Sequence, residues 1–306
     1  MPSTLIDLEF LGRRETIATG VVDTPAGVLL VDPGPATCLD RLAAALAGLG
    51  IHSRDLHGLL LTHIHLDHAG ATGTLVRRYP HLTVYVHERG APHLIDPAKL
   101  LASAQRLYGA EMDRLWGEFA PVPAERVRVP SDGDLLDFGG TRIAVAYTKG
   151  HASHHVCYFD ARSGIAYLGD TGGIRVGPSP YVLPPTPPPD IDLPAWRGSL
   201  ARIRRWQPAA VFVTHFGLHH DAGAHLDALE AELDHCDALT SDIMTSEPDA
   251  ARRPSRFIEA VRARIAGRVT PAENEAYRHA MSLDDCWLGL ARYWDKKNGP
   301  AAPRQA

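Results

Sequence analysis

No Cys-x-x-C pair, no charged leader followed by an apolar stretch, no apolar run of bilayer length and no long block of lysine and arginine occurs in these 306 residues. Each absence removes a class of protein. The four cysteines, Cys38, Cys157, Cys236 and Cys286, stand far apart, so reduced buried thiols are expected in place of a disulfide framework or a zinc knuckle. The N-terminal stretch MPSTLIDLEF has neither a basic region nor a sustained apolar one, and the uncharged run at residues 42–51 is too short to span a membrane. A cytoplasmic protein without membrane contact is expected. Thirty-one basic side chains against 36 acidic ones give a formal charge of −5, and with no basic run a groove for a nucleic-acid backbone is not expected. An apolar share of 45% is enough to bury a core without a metal or disulfide staple. Histidine is what the chain has in excess: 17 residues, the first compositional pointer to metal chemistry.

Apolar runs closed by Gly, Pro or Asp predict strands at residues 27–31, 58–62, 82–86, 141–148, 164–168 and 209–214. Between them, Ala- and Leu-rich stretches at 37–49, 70–79 and 193–206 end at Gly50, Pro80 and before Pro208, as helices do. Alternating strands and helices imply an α/β architecture with helices covering sheets. Two segments interrupt the rhythm. Residues 91–119 read as helical, with Tyr108, Met112 and Trp116 at four-residue spacing, and residues 178–189 form a proline-dense loop holding Tyr181. From residue 237 the pattern is helical without further strands, 257–265 and 284–294 being the clearest helices, and the last residues are expected to fray. A catalytic domain at 1–236 and a C-terminal helical extension at 237–306 are therefore expected.

The strongest chemical signal is THIHLDHAG at residues 62–70, where His63, His65, Asp67 and His68 follow directly on a predicted strand. Imidazole and carboxylate are donors that zinc accepts, and a turn leaving a strand can aim one pair of them at one point and the other pair at a second. This spacing suggests two metal ions. Three further predicted strands lead straight into a donor: Gly150-His151, Gly169-Asp170 and Thr214-His215. Donors at the carboxyl ends of several strands converge on one edge of a sheet, where open α/β sheets bind ligands. His154, His155, His219, His220 and His225 lie near these positions but not at the strand ends, and are expected outside the site, with His154 the substitute for His151.

The order H-x-H-x-D-H, Gly-His, Gly-Asp, Thr-His resembles the metallo-β-lactamase superfamily over residues 5–233. The resemblance implies an αββα sandwich, here with the C-terminal helical extension, and a metal cleft at the edge between the sheets. It implies that His63, His65 and His151 hold one ion, that Asp67, His68 and His215 hold the other, and that Asp170 bridges them. Asp32, in VDPG, matches an early family Asp and is expected to orient a ligand or the metal loop. The ions expected are two divalent cations, zinc first, with iron or manganese also accepted by such donors. A hydroxide bridging the two would attack a carbonyl, Asp67 and Asp170 being the carboxylates closest to that chemistry. The expected reaction is hydrolysis of a carboxylic ester, lactone or thioester, in the manner of glyoxalase II or a lactonase.

Two other readings stay open at this point: a single-iron persulfide dioxygenase sharing much of the ligand set, and a non-catalytic module of the same fold. A small-molecule substrate is the expected partner, with a second copy of the chain as a homodimer. Tyr108, Trp116 and Tyr181, on the two interrupting segments, are expected to line the substrate pocket.

Overall fold

The computed structural model describes residues 4–298; the tail expected to fray lies beyond the described residues. Two six-stranded sheets form the centre. The first runs in sequence order through β1 (Thr4–Asp7), β2 (Ala18–Thr24), β3 (Gly27–Val31), β4 (Leu56–Leu60), β5 (Thr83–Tyr85) and β6 (Val127–Arg128). Its first three strands are antiparallel neighbours, and β3 to β6 are parallel. Parallel neighbours need crossovers. These are α1 (Leu39–Gly48), then α2 (Leu66–Ala69) with α3 (Thr72–Arg78), and after β5 the inserted α4 (Ala91–Ile95), α5 (Ala98–Tyr108) and α6 (Met112–Leu115).

The second sheet holds β7 (Leu135–Phe138), β8 (Thr141–Tyr147), β9 (Val156–Asp160), β10 (Ile165–Tyr167), β11 (Ala210–Val213) and β12 (Gly217–His219). All its neighbours are antiparallel except β10 and β11, which α7 (Leu193–Arg204) connects in parallel.

Strand periodicity sorts side chains between layers. Leu29 and Val31 on β3 and Leu60 on β4 face the second sheet and pack with Ile143, Val145, Tyr158 and Phe212. Their neighbours Val28, Leu30 and Leu59 point the other way, onto Leu39, Leu42 and Leu46 of α1. Burial on both faces explains why these strands read as near-continuous apolar runs. On the far side of the second sheet, Ala166, Leu168, Val211 and Val213 pack against Trp196, Leu200 and Ile203 of α7. Each such apolar side chain contributes on the order of 1.5–3 kcal/mol on burial. The result is the expected αββα sandwich with C-terminal helices.

Those helices are α8 (Ala222–Ser246), α9 (Arg253–Ala266), α10 (Pro271–Ala280) and α11 (Leu283–Asn298). A domain boundary at 236/237 falls inside α8, which continues unbroken through it. Leu226, Leu229 and Leu233 of α8 share one core with Trp196 on one side and with Phe257, Val261, Trp287 and Leu290 of the later helices on the other. Thr270 starts α10 with a capping box: its hydroxyl accepts from Glu273 N, and Glu273 Oε2 accepts from Thr270 N at 2.7 Å. α11 lies directly on the proline loop. A Cβ at Gly289 would collide with the Thr186 carbonyl oxygen, and Thr186 Oγ1 donates to the Cys286 carbonyl at 3.2 Å. The four cysteines are buried and unpaired, and among the described residues no helix is long and apolar enough to cross a membrane.

Candidate metal centre

The ends of β4, β8, β10 and β11 open on one edge of the sandwich and deliver the donors there. His63 and His65 sit in the turn after β4, Asp67 and His68 in the single turn of α2, and His151, Asp170 and His215 just after β8, β10 and β11. Gly169 makes the last approach of Asp170 feasible: its φ is +49°, and a Cβ there would collide with Thr62 Oγ1. Two donor groups result, His63, His65, His151 and Asp170 in one, Asp67, His68 and His215 in the other, each with its donor atoms within 4.8 Å of one another. In the first, His65 Nδ1 lies 2.9 Å from His63 Nε2 and 3.1 Å from His151 Nε2. In the second, Asp67 Oδ2 lies 3.3 Å from His215 Nε2 and 3.6 Å from His68 Nε2. Asp170 spans both, with Oδ2 3.4 Å from His151 Nε2 and Oδ1 3.2 Å from His68 Nε2.

The hydrogen bonds behind the rings decide what the front nitrogens can do. His68 Nδ1 donates to Asp32 Oδ2 at 2.8 Å, His151 Nδ1 to the Pro185 carbonyl at 2.9 Å and His215 Nδ1 to the Thr16 carbonyl at 2.8 Å. Carbonyl and carboxylate oxygens only accept, so each of these nitrogens carries the proton. Thr62 Oγ1 gives its hydrogen to Asp32 Oδ2 at 2.7 Å and therefore accepts from His63 Nδ1 at 3.1 Å. With the Nδ1 protons fixed behind them, the Nε2 atoms of these four rings are the ones turned toward the centre and free to ligate a cation. His65 presents Nδ1 instead. His65 Nδ1 thus comes within about 3 Å of two further imidazole nitrogens, a spacing at which the three could ligate one cation. His68 Nε2 and Asp170 Oδ1 are buried without a hydrogen-bond partner, as atoms reserved for a metal would be.

Electrostatics agree with that fit. Burial drives His63 and His65 well below the usual imidazole range, so they stay neutral, the form that ligates. Burial also opposes charge on His68, but the carboxylates of Asp170, Asp67 and Asp32 outweigh it and hold this ring well above its usual range. Burial would raise Asp67, yet His68 and His215 hold it down at about 2. The carboxylates thus create a place for positive charge that a divalent cation would fill more fully than one proton.

Asp32 is the hub of the support. It is fully buried and accepts from Thr62 N at 2.8 Å and from Thr214 Oγ1 at 2.9 Å, besides Thr62 Oγ1 and His68. The sequence pointed to Asp32 but not to Thr62, Thr214, Thr16 or Pro185. A threonine directly before a ligand histidine, at 62–63 and again at 214–215, was the readable signal for two of them.

Above the donors lies a cleft of about 850 Å³, floored by His65, Asp67, Asp170 and His215. Tyr108 and Trp116 of the insert line it, and Trp116 is also core: it stacks on Phe10 at 5.6 Å and meets Tyr108 edge-on at 5.1 Å. Tyr181 does not reach it. Its ring is buried beside Tyr277 at 5.5 Å, behind the second sheet, so the expectation that it lines the substrate pocket is corrected. The proline loop instead sends Pro187, Pro188 and Pro189 to the cleft wall. His154 lines the cleft outside both donor groups, and His155 is tied to Thr148 Oγ1 at 2.9 Å. His225 donates to the Gly172 carbonyl at 2.7 Å, stacks near His219 and takes no part in the centre, and His220 is exposed.

Fold and donor pattern define a class, and comparison with known proteins names it. The sequence profile of the Metallo-beta-lactamase superfamily matches residues 12–221, and the chain belongs to that superfamily. A crystal structure of an archaeal metallo-beta-lactamase superfamily protein from Sulfolobus tokodaii superposes with a TM-score of 0.65 at 22% identity, covering 94% of this chain and 98% of that one. Among curated relatives, the hydroxyacylglutathione hydrolase of Aeromonas hydrophila is 31% identical over 144 residues, which are 47% of this chain and 41% of that protein. The atrochrysone carboxyl ACP thioesterase of Aspergillus fumigatus is 27% identical over 154 residues, 50% of this chain and 39% of that protein. The chain thus matches less than half the length of either relative.

Proposed function

We propose that the protein is a dinuclear metal-dependent hydrolase that cleaves a carboxylic thioester, ester or lactone, with zinc as its native ion. One observation carries this reading: Asp170 reaches both donor groups with its two oxygens, at the floor of an open cleft. Two relatives bear names of hydrolases of thioester type, which favours an acyl substrate. Divalent cations held there supply a water of lowered pKa and polarise the acyl carbonyl. The chain's own residues do the rest. The fixed Nδ1 protons lock the ligand rings in place, so no reorganisation is needed during the reaction. Asp67 is the more exposed of the two site carboxylates, its side chain 24% accessible against 6% for Asp170, and its carboxylate, held ionised by His68 and His215, would be the one placed to steer a proton at the cleft floor. No serine or cysteine nucleophile is called for. In this reading the enzyme acts on a small molecule in the cytoplasm, alone or as a homodimer.

The test is a hydrolysis screen over thioesters, esters and lactones, with metal analysis of the same preparation. About two ions per chain and turnover of at least one acyl class are expected. One iron per chain with oxygen consumption on a persulfide would replace the hydrolase by a dioxygenase.

A further inference from the structure

The mouth of the cleft carries charge that hydrolysis itself does not use. Arg13 from the segment between β1 and β2, Arg89 after β5, Lys99 on α5 and Arg278 on α10 all line it. All four side chains are exposed, and none has an ion pair or a side-chain hydrogen bond among the described residues. A fifth cation, Arg114, is engaged by Glu111. Apart from the donors Asp67 and Asp170, the acids on the lining are Asp190, which accepts from Ser153 Oγ at 2.6 Å, and Asp285. On a chain with a net charge of −5, unpartnered cations from four separate segments therefore gather around one opening. Cations so placed focus a positive field into the cleft and attract an anion to it.

The cleft is long enough in volume for a drug-sized ligand. Beyond the donors its wall is apolar on the side of the insert, through Leu100, Ala104, Leu115 and Trp116. A substrate that satisfies the whole surface has an acyl carbonyl at Asp67 and Asp170, an apolar acyl chain against the insert and a strongly anionic far end. One carboxylate would neutralise a single cation, whereas phosphate groups carry several charges and match guanidinium forks bidentately.

Building on the hydrolase reading, we infer that the substrate is a small acyl thioester whose leaving thiol bears phosphate groups, held at the cleft mouth by Arg13, Arg89, Lys99 and Arg278. In the reaction, water's oxygen bonds to the acyl carbon and the C–S bond breaks with its electron pair on sulfur. The thiol takes up one proton, and the acid formed releases the other. Products are the carboxylate, the phosphorylated thiol and one proton.

The test uses the metal-loaded full chain and one acyl group on different thiols: coenzyme A, pantetheine, glutathione and N-acetylcysteamine, with a glutaryl thioester of N-acetylcysteamine to place the anion on the acyl side. The coenzyme A thioester should have a kcat/KM at least tenfold above the pantetheine thioester, and the margin should shrink as salt is raised. Lys99→Gln and Arg278→Gln should each cut the ratio of the two by roughly five- to tenfold. Free coenzyme A, titrated calorimetrically, should bind the wild type more tightly than pantetheine and lose that advantage in the double variant. Equal kcat/KM across all thiols would overturn the inference and leave the hydrolase standing. Preference for the glutaryl thioester would overturn it by moving the anion to the acyl end. Absence of any acyl hydrolysis, with two ions bound, would defeat the hydrolase reading itself.

Discussion

Asp32→Asn changes almost no volume and should nevertheless disable one of the two donor groups. Oδ1 of Asp32 accepts from Thr62 N, a bond the amide oxygen of asparagine can keep. Oδ2 accepts from Thr62 Oγ1, Thr214 Oγ1 and His68 Nδ1, at 2.7, 2.9 and 2.8 Å. An amide NH2 there faces three donors. The two hydroxyls can rotate and accept, but the imidazole can accept at Nδ1 only by moving its proton to Nε2, the atom turned toward the metal. The lost charge-assisted bond is worth about 1.5–3 kcal/mol. Disturbing such an outer partner weakens metal binding about 10- to 100-fold, or about 1.4–2.8 kcal/mol, so the two estimates agree. The loss should fall on the donor group of Asp67, His68 and His215. Competition against a chromophoric chelator should show one ion retained at near wild-type affinity and the other released, and the chelated, metal-free variant should melt a few degrees lower. Thr214→Val combined with Asp32→Asn should cost less than the two changes summed, because they share a partner. If the Asp32→Asn variant bound both ions as tightly as wild type and melted at the same temperature, the tautomer argument for all the ligand histidines would fall with it.

Asp170→Asn and His65→Ala should each lower hydrolysis by several orders of magnitude and reduce the metal content below about two ions, with circular dichroism unchanged. Trp116→Ala should destabilise by about 3–5 kcal/mol in denaturant melts, since Trp116 stacks on Phe10 within the core, while Tyr108→Phe should shift kcat/KM between short and long acyl groups at nearly constant stability. Glu273→Gln should be pH-selective. Burial would raise the Glu273 carboxyl, but donors on Thr270 and Ser179 outweigh it and hold it at about 2, against an ordinary 4.5. A depressed carboxyl gives stability that is full above about pH 4.5 and is lost as pH falls toward about 2. Urea melts should therefore separate the two proteins by about 1–3 kcal/mol at pH 6 and by progressively less down to pH 2; a constant gap would assign the loss to packing.

The donors stood out in the sequence because each follows directly on a strand whose apolar run is visible locally: β4 before His63, β10 before Asp170, β11 before His215. The α/β class followed from the same alternation, and the αββα sandwich from the family resemblance. β6, two residues long, and β7, an edge strand largely open to solvent, left no such run and went unseen. A boundary at 236/237 looked natural because strands end before it. The apolar stripe of α8 is interrupted by buried His225 and Glu232, which masked a helix already under way at Ala222. Tyr181 looked like a lid residue in a proline-rich loop, yet Ile174 and Leu183 pair across that loop and Tyr277, nearly 100 positions away in sequence, donates to the Tyr181 carbonyl at 2.7 Å. Contacts of that separation leave no local trace. Nor does the Pro185 carbonyl that fixes His151, since a backbone oxygen has no residue signature.

That carbonyl belongs to the same loop on which α11 rests through Gly289, Cys286 and Thr186. The last described helix and the first donor group therefore meet at adjacent residues of one loop: the Pro185 carbonyl holds the His151 ring, and Thr186 lies against α11. By linkage, an ion that binds only when His151 is correctly turned must also stabilise the seating of α11, by RT ln(1 + [L]/Kd) for whatever part of the opening frees the loop. Amide hydrogen exchange in Leu283–Asn298 would then slow as metal is added, although no residue of that helix is a ligand. The tail helix becomes a remote gauge of site occupancy, and a side chain added at Gly289 would uncouple the gauge from the metal.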